Sequence, residues 1–112
     1  MPSSADWETL RTFLGGEAIA GGKLKEIGTT HWDAPNAGAT DEYGFKALGG
    51  GLRDKDAGAF LAIRNANYNW SSTEVNFPNA YRYGMTKDTA ELGGPGNNSK
   101  KDGYSVRCMR DV

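Results

Sequence analysis

The chain contains one cysteine, Cys108, and one histidine, His31. A single thiol excludes an internal disulfide and any multi-thiolate zinc site, and a lone cysteine in an apolar strand is expected to be a small buried hydrophobe. No apolar run approaches the roughly 20 residues that span a bilayer, and no basic-then-apolar leader opens the chain, so a soluble protein without direct membrane insertion is expected. Charge of one sign is also missing. Thirteen basic against fourteen acidic side chains leave a formal charge of -1, which offers no footprint for a phosphate backbone and argues against nucleic acid as a partner. Leucine, isoleucine and valine are few, so the core must be built largely from aromatic rings. Trp7, Trp32 and Trp70 are the first candidates for it.

What the chain has instead is glycine and aromatics: 16 glycines, three tryptophans, five tyrosines and four phenylalanines in 112 residues. That length suits a single domain over residues 1–112. Residues Ser3 to Leu14 read as an amphipathic helix, since Ser3 or Ser4 can cap it and Trp7, Leu10 and Leu14 recur at helical spacing. Gly15-Gly16 stops it. A second short helix is expected from Glu17 to Lys25, weakened at its centre by Gly21-Gly22.

Beyond Ile27 the helical period gives way to short apolar or alternating segments between turn formers. Candidate strands are Phe45 to Leu48, Phe60 to Ile63, Asn69 to Thr73, Ala80 to Met85 and Tyr104 to Met109. Asp33 to Tyr43, with Pro35, Asn36 and Gly38, reads as a surface loop, and so does Glu91 to Asp102 with its Gly93-Gly94-Pro95-Gly96-Asn97-Asn98 core. Helices first and strands afterwards make the class α+β, with two N-terminal helices followed by a twisted antiparallel sheet with long loops.

The ordered strings Ala20-Gly21-Gly22-Lys23-Leu24-Lys25, Gly28-Thr29-Thr30-His31-Trp32 and Pro35-Asn36 with Gly38-Ala39-Thr40 resemble the Fibrobacter succinogenes major paralogous domain. So do Gly44-Phe45, Ala47-Leu48, Gly50-Gly51, Arg53-Asp54, Trp70-Ser71-Ser72-Thr73-Glu74, Ala80-Tyr81, Ser99-Lys100-Lys101 and the ending Ser105-Val106-Arg107-Cys108 with Arg110-Asp111. The resemblance covers nearly the whole chain. It implies a C-type-lectin-like fold, shared with formylglycine-generating enzymes and with the variable proteins of diversity-generating retroelements, and an extracellular or cell-surface location in bacteria. It also implies a strand-rich segment before the first helix, where this sequence begins at the helix, so that the sheet lacks a strand or is completed by another chain. Gly49 replaces a common proline, and Asn69 a common aromatic before Trp70.

Catalysis finds little support. Formylglycine chemistry depends on reactive cysteines, and Cys108 is alone. A serine nucleophile needs a positioned base, yet His31 is the only histidine and no Gly-x-Ser-x-Gly elbow is present. His31 is expected to be structural within its Thr-Thr-His-Trp turn. Asp54, Asp56 and Glu74 are ordinary surface carboxylates with nothing to set the separation that glycosidic cleavage needs. Asp54-Lys55-Asp56-Ala57-Gly58 looks like the start of a calcium loop but lacks the further ligands, so a plain turn is favoured over calcium and no cofactor is expected. Arg53 and Arg107 are expected to stack on aromatics or to pair with Asp54 and Glu74.

One stretch has the composition of a binding surface. Asn65, Asn67, Tyr68, Asn69, Asn76, Phe77, Asn79, Tyr81 and Tyr83 place asparagine beside rigid aromatic rings on both sides of Trp70-Ser71-Ser72-Thr73, and rings supply contact area while asparagine adapts its hydrogen bonds. The sequence therefore points to a non-catalytic module that binds a protein or glycan ligand, in a version whose Asn-derived positions could be diversified by a retroelement. The competing reading is a structural or assembly module of a larger surface protein, with self-association and no soluble ligand. Asparagine and tyrosine that merely satisfy turns and cover the sheet would look the same in the sequence.

Overall fold

The computed structural model describes residues 1–110. Helix α1 runs Ser4–Phe13 and α2 Glu17–Leu24; five strands follow, β1 Leu52–Arg53, β2 Phe60–Leu61, β3 Ala66–Asn76, β4 Asn79–Thr86 and β5 Gly93–Ser99. The α+β expectation of two N-terminal helices before antiparallel strands holds. Strands β3, β4 and β5 form one antiparallel sheet in that order, while β1 and β2 form a separate two-stranded ladder.

The start of α1 is set locally. Ser3 Oγ accepts from the Asp6 amide at 3.1 Å and Asp6 Oδ2 accepts from the Ser3 amide at 2.9 Å, a reciprocal box that satisfies two otherwise free amides. These bonds to Ser3 hold the exposed Asp6 carboxyl below its usual range. In α2 the paired glycines act as a docking seam. A Cβ at Gly21 would lie 2.0 Å from the Glu91 carbonyl oxygen, and one at Gly22 would lie 2.2 Å from that of Gly38. Only glycine lets this helix approach two other backbone segments so closely, so the propensity loss at Gly21-Gly22 accompanies tight packing.

Trp7, Leu14, Ala20, Leu24, Trp32, Ala47, Tyr83, Met85 and Leu92 form the core between the helices and one face of the sheet. Trp7 stacks on Tyr83 with centroids 5.7 Å apart, and Trp32 donates its Nε1 to the Ala47 carbonyl at 2.9 Å. Trp70, the third core candidate, is only half-buried. It lies on the other face of β3, paired with Arg82, because alternation along β3 reserves the core face for its neighbours.

Four sequence expectations are revised. Phe45 to Leu48 is no strand and contributes only an isolated bridge between Ala47 and Lys25. Phe60 to Ile63 shrinks to the two residues of β2. Glu91 to Asp102 is no simple loop: its Gly93–Ser99 portion is β5, the outer strand of the sheet. Its pairing uses backbone groups, which glycine supplies as well as any residue, and Pro95 is tolerated at a sheet edge. Tyr104 to Met109 forms no strand; Ser105 alone bridges to Asn69, and Cys108 is exposed. The edge of β3 that this segment would extend along is already taken further on, where Ser72 donates to the Pro2 carbonyl at 2.8 Å. Asp111, last of the motif residues, lies outside the described residues.

Candidate functional site

Eight of the nine asparagine and aromatic candidates fall on one long hairpin, β3–β4, whose turn is Phe77-Pro78 with Asn76 opposite Asn79, and the ninth, Asn65, just precedes it. Alternation sorts them into three groups. Asn67, Asn69 and Tyr83 are buried. Asn67 donates to the Leu48 carbonyl at 2.8 Å and its Oδ1 accepts from Asn69, so these amides tie the Leu48 segment to β3. The Tyr83 hydroxyl meets Ser4 Oγ at 2.7 Å beneath Trp7, and burial pushes its phenol up from the ordinary value while Ser4 pulls the other way. These three are structural residues in the fold, turned inward by the same pleat that exposes their neighbours.

The second group lies on the sheet face away from the helices. Tyr68 pairs with Gly84 and Trp70 with Arg82 across the ladder. The Arg82 guanidinium sits 4.5 Å over the Tyr68 ring and its Nε donates to Asn98 Oδ1 at 2.9 Å. Tyr104, from beyond β5, packs against Trp70 at 4.6 Å and Tyr68 at 5.6 Å. Gly84 makes room for this cluster, since a Cβ there would lie 2.4 Å from the Tyr68 ring. Burial raises the Tyr104 phenol, and the Asp102 carboxylate raises it further. Beside Trp70 a shallow cavity of about 290 Å³ opens between Ser72, Glu74, Ala80 and Lys100.

The third group is the hairpin tip. Asn76 and Phe77 are exposed and Asn79 is half-buried, and Phe77 leaves 87% of its surface in solvent. Lys100 reaches over the Phe77 ring at 5.8 Å and pairs with Glu74 at 2.9 Å. Tyr81 is half-buried on β4 and Asn65 is exposed just before β3.

Other residues take the places their chemistry allows. His31 is exposed and its Nδ1 meets Glu26 Oε2 at 2.8 Å. The Asp54 carboxylate accepts from the amides of Asp56 and Ala57 at 3.1 and 2.9 Å, a side-chain-closed turn. Arg107 stacks on Phe45 at 4.1 Å, as expected of it, whereas Glu74 pairs with Lys100 and not with an arginine.

Sequence reasoning missed the residue with the most unusual surroundings. Lys25 is completely buried. Its ammonium donates to the carbonyls of Ala37, Thr86 and Thr89 at 2.7, 2.9 and 2.9 Å and lies 5.5 Å from the Trp32 ring. A lysine ammonium has three N–H donors, so the group is fully satisfied. Burial pulls Lys25 down to about 8 and Asp88 opposes this. It fastens the Pro35-Asn36 loop and the end of β4 to α2. Only its place inside an otherwise ordinary Gly-Gly-Lys-Leu-Lys string could have hinted at it. Arg64 was missed as well: its guanidinium clamps Asp33 Oδ1 at 2.8 Å and the Thr29 carbonyl at 2.7 Å, holding the Thr-Thr-His-Trp turn.

These features define a class: a small α+β domain with an aromatic-rich core, whose β3–β4 hairpin is buried at its root and solvent-exposed at its tip. Within that class the chain belongs to the Fibrobacter succinogenes major domain family, whose model matches residues 1–110. Neither the curated proteins nor the solved structures searched returned a match.

Proposed function

We propose that this domain is a non-catalytic binding module of C-type-lectin-like type at the bacterial cell surface, which takes a protein or glycan ligand through the accessible part of the β3–β4 hairpin. The observation that carries the reading is Phe77, 87% exposed at the tip of a hairpin whose root is pinned in the core by Tyr83. A phenylalanine held out in water adds nothing to folding, whereas rigid aromatic anchors dominate binding energy where they are desolvated. Asn76 and Asn79 flank it, Tyr68 and Trp70 continue an aromatic surface on one face of the strands, and Tyr81 is half-buried on the other face. The ligand contacts are therefore Asn65, Tyr68, Asn76, Phe77, Asn79 and Tyr81; Asn67, Asn69 and Tyr83 act by holding the hairpin. In the diversified version of this reading, the accessible positions vary while the buried three stay constant.

A binding screen on glycan and bacterial-surface-protein arrays, with and without calcium, tests the proposal against a Tyr68→Ala, Phe77→Ala, Tyr81→Ala triple variant. Loss of a specific signal in the folded variant supports it. A signal that is unchanged in the variant removes the hairpin from the binding role. The diversified version fails if the gene has no neighbouring template repeat and no reverse transcriptase.

The assembly reading draws on a different place. The β1–β2 arm exposes Phe60 by 80%, Leu61 by 48% and Ile63 by 66%, a cluster that a sister domain would cover. Phe60→Ser with Ile63→Ser in sedimentation or size-exclusion experiments should dissolve any self-association if this arm is the contact.

A further inference from the structure

On the β4–β5 side of the sheet face that turns away from the helices, a cleft of about 220 Å³ opens over Gly84 and Gly93. These two glycines pair across the ladder and give the cleft a floor of bare main chain. Residues 82, 84 and 86 share this face of β4, so Tyr68 and Arg82 stand at one end of the cleft and Thr86, Thr89 and Glu91 at the other. The far end is gathered from below. The buried Lys25 ammonium donates to the carbonyls of both Thr86 and Thr89, and the Thr89 hydroxyl accepts from the Glu91 amide at 3.2 Å.

Arg82 is half-buried and held in one orientation. Its guanidinium lies across Gly96, where a Cβ would come within 2.9 Å of Cζ, stacks 4.5 Å from the Tyr68 ring, and donates Nε–H to Asn98 Oδ1 at 2.9 Å. No carboxylate among the described residues forms an ion pair with it. Asp102, on the same side, accepts instead from the Lys55 amide at 3.0 Å and the Tyr104 hydroxyl at 3.4 Å. The Tyr104 phenol, raised by burial and by Asp102, is pulled down by Arg82 beside it. A fixed guanidinium without a counter-ion is a receptor for a bidentate acceptor. Glu91 has no ion pair among the described residues either, so the cleft calls for an anion at one end and hydrogen-bond donors at the other. Strand β4 is paired on both sides, which leaves no free main chain here for an extended peptide. Hydroxyls, a carboxylate and a ring around a bare floor suit a polyhydroxylated ligand.

We propose that this cleft binds a uronic-acid residue of an acidic glycan. The sugar carboxylate takes the Arg82 fork, its C–H groups pack on the Tyr68 ring, and its hydroxyls donate to Glu91 and share hydrogen bonds with Thr86 and Thr89. The inference rests on the reading of the β3–β4 hairpin as a glycan-binding surface, and it names the class of glycan and the residue that meets its charge.

The probe is trigalacturonate, titrated into the whole chain beside its fully methyl-esterified form, while the Arg82 Nε–H and the Gly84, Thr89 and Glu91 amides are followed by NMR. The expected result is a saturable shift of these resonances with the acid, and binding of the ester at least about tenfold weaker. Arg82→Gln should reduce the acid to the level of the ester. If that variant loses spectral dispersion, Asn98→Ala, which keeps the charge and releases the fork, should narrow the preference. The proposal is overturned if acid and ester bind alike, or if both variants leave the preference unchanged. It is also overturned if sodium acetate at the same carboxylate concentration shifts the resonances equally, because any anion then suffices. Absence of trigalacturonate binding removes the uronic-acid assignment alone, whereas the arrays with the Tyr68, Phe77 and Tyr81 triple variant decide the binding role of the hairpin.

Discussion

Two lysines in this domain lie over aromatic rings, and they do opposite things. Lys25 sits 5.5 Å from Trp32 with no exposed surface and three carbonyl acceptors; Lys100 sits 5.8 Å from Phe77 at an open hairpin tip beside Glu74. In the interior a charge survives only when every donor is met, and the full set of bonds then fixes three chain segments in one arrangement. At the tip water screens the same attraction, so the pair contributes little to folding and its ring stays available for a ligand. Environment, not residue type, separates scaffold from surface.

The sharpest way to break this comparison is Lys25→Met. It keeps the length of the side chain, strips three carbonyls of their donor, and should lower stability by about 3 kcal/mol or more in urea unfolding. The same lysine predicts a pH effect of definite sign. Its folded value of about 8 lies below the 10.5 of the unfolded chain, so between these pH values the unfolded state binds the extra proton. Stability relative to Lys25→Met should therefore rise as pH passes from 8 to 10.5. A fall across that window would show that the carbonyl cage holds the proton more tightly than burial expels it.

Smaller effects are expected from the hairpin root and smallest from its tip. Gly84→Ala drives a methyl against Tyr68 and should cost about 1–3 kcal/mol while disturbing the Trp70–Tyr104 cluster, visible in near-ultraviolet circular dichroism. Tyr83→Phe removes the hydroxyl that meets Ser4 and should cost about 1 kcal/mol by thermal denaturation. Phe77→Ala and Lys100→Ala should change stability by no more than about 0.5 kcal/mol. A Phe77→Ala loss above about 2 kcal/mol would mean that the tip is packed in solution, and would undo the contrast with Lys25.

Much of the scaffold was legible because its signals are local. Ser3 or Ser4 marked the start of α1, Gly15-Gly16 its end, and the alternation in Ala80 to Met85 located β4 within one residue at each end. The hairpin was recognisable as a candidate surface from its asparagines and rings. Which of those residues are accessible was not, because register decides it: Tyr68 and Asn69 are neighbours in sequence and lie on opposite sides of the sheet. Gly93–Ser99 hid its strand because edge pairing needs only backbone. Tyr104 to Met109 did the reverse, showing the side-chain pattern of a strand where no partner edge was free.

Local sequence patterns and the order of motifs determined the α+β class, the family, and Trp7 and Trp32 as core residues. Tertiary structure decided that Lys25 is a buried clamp, that Gly21-Gly22 is a docking seam, that Asn67, Asn69 and Tyr83 are scaffold, and that Cys108 is exposed. The division has one physical origin. Helix caps, turns and alternation are written within a few residues of one another, whereas burial, hydrogen-bond satisfaction and close backbone approach are set by segments brought together only when the chain folds.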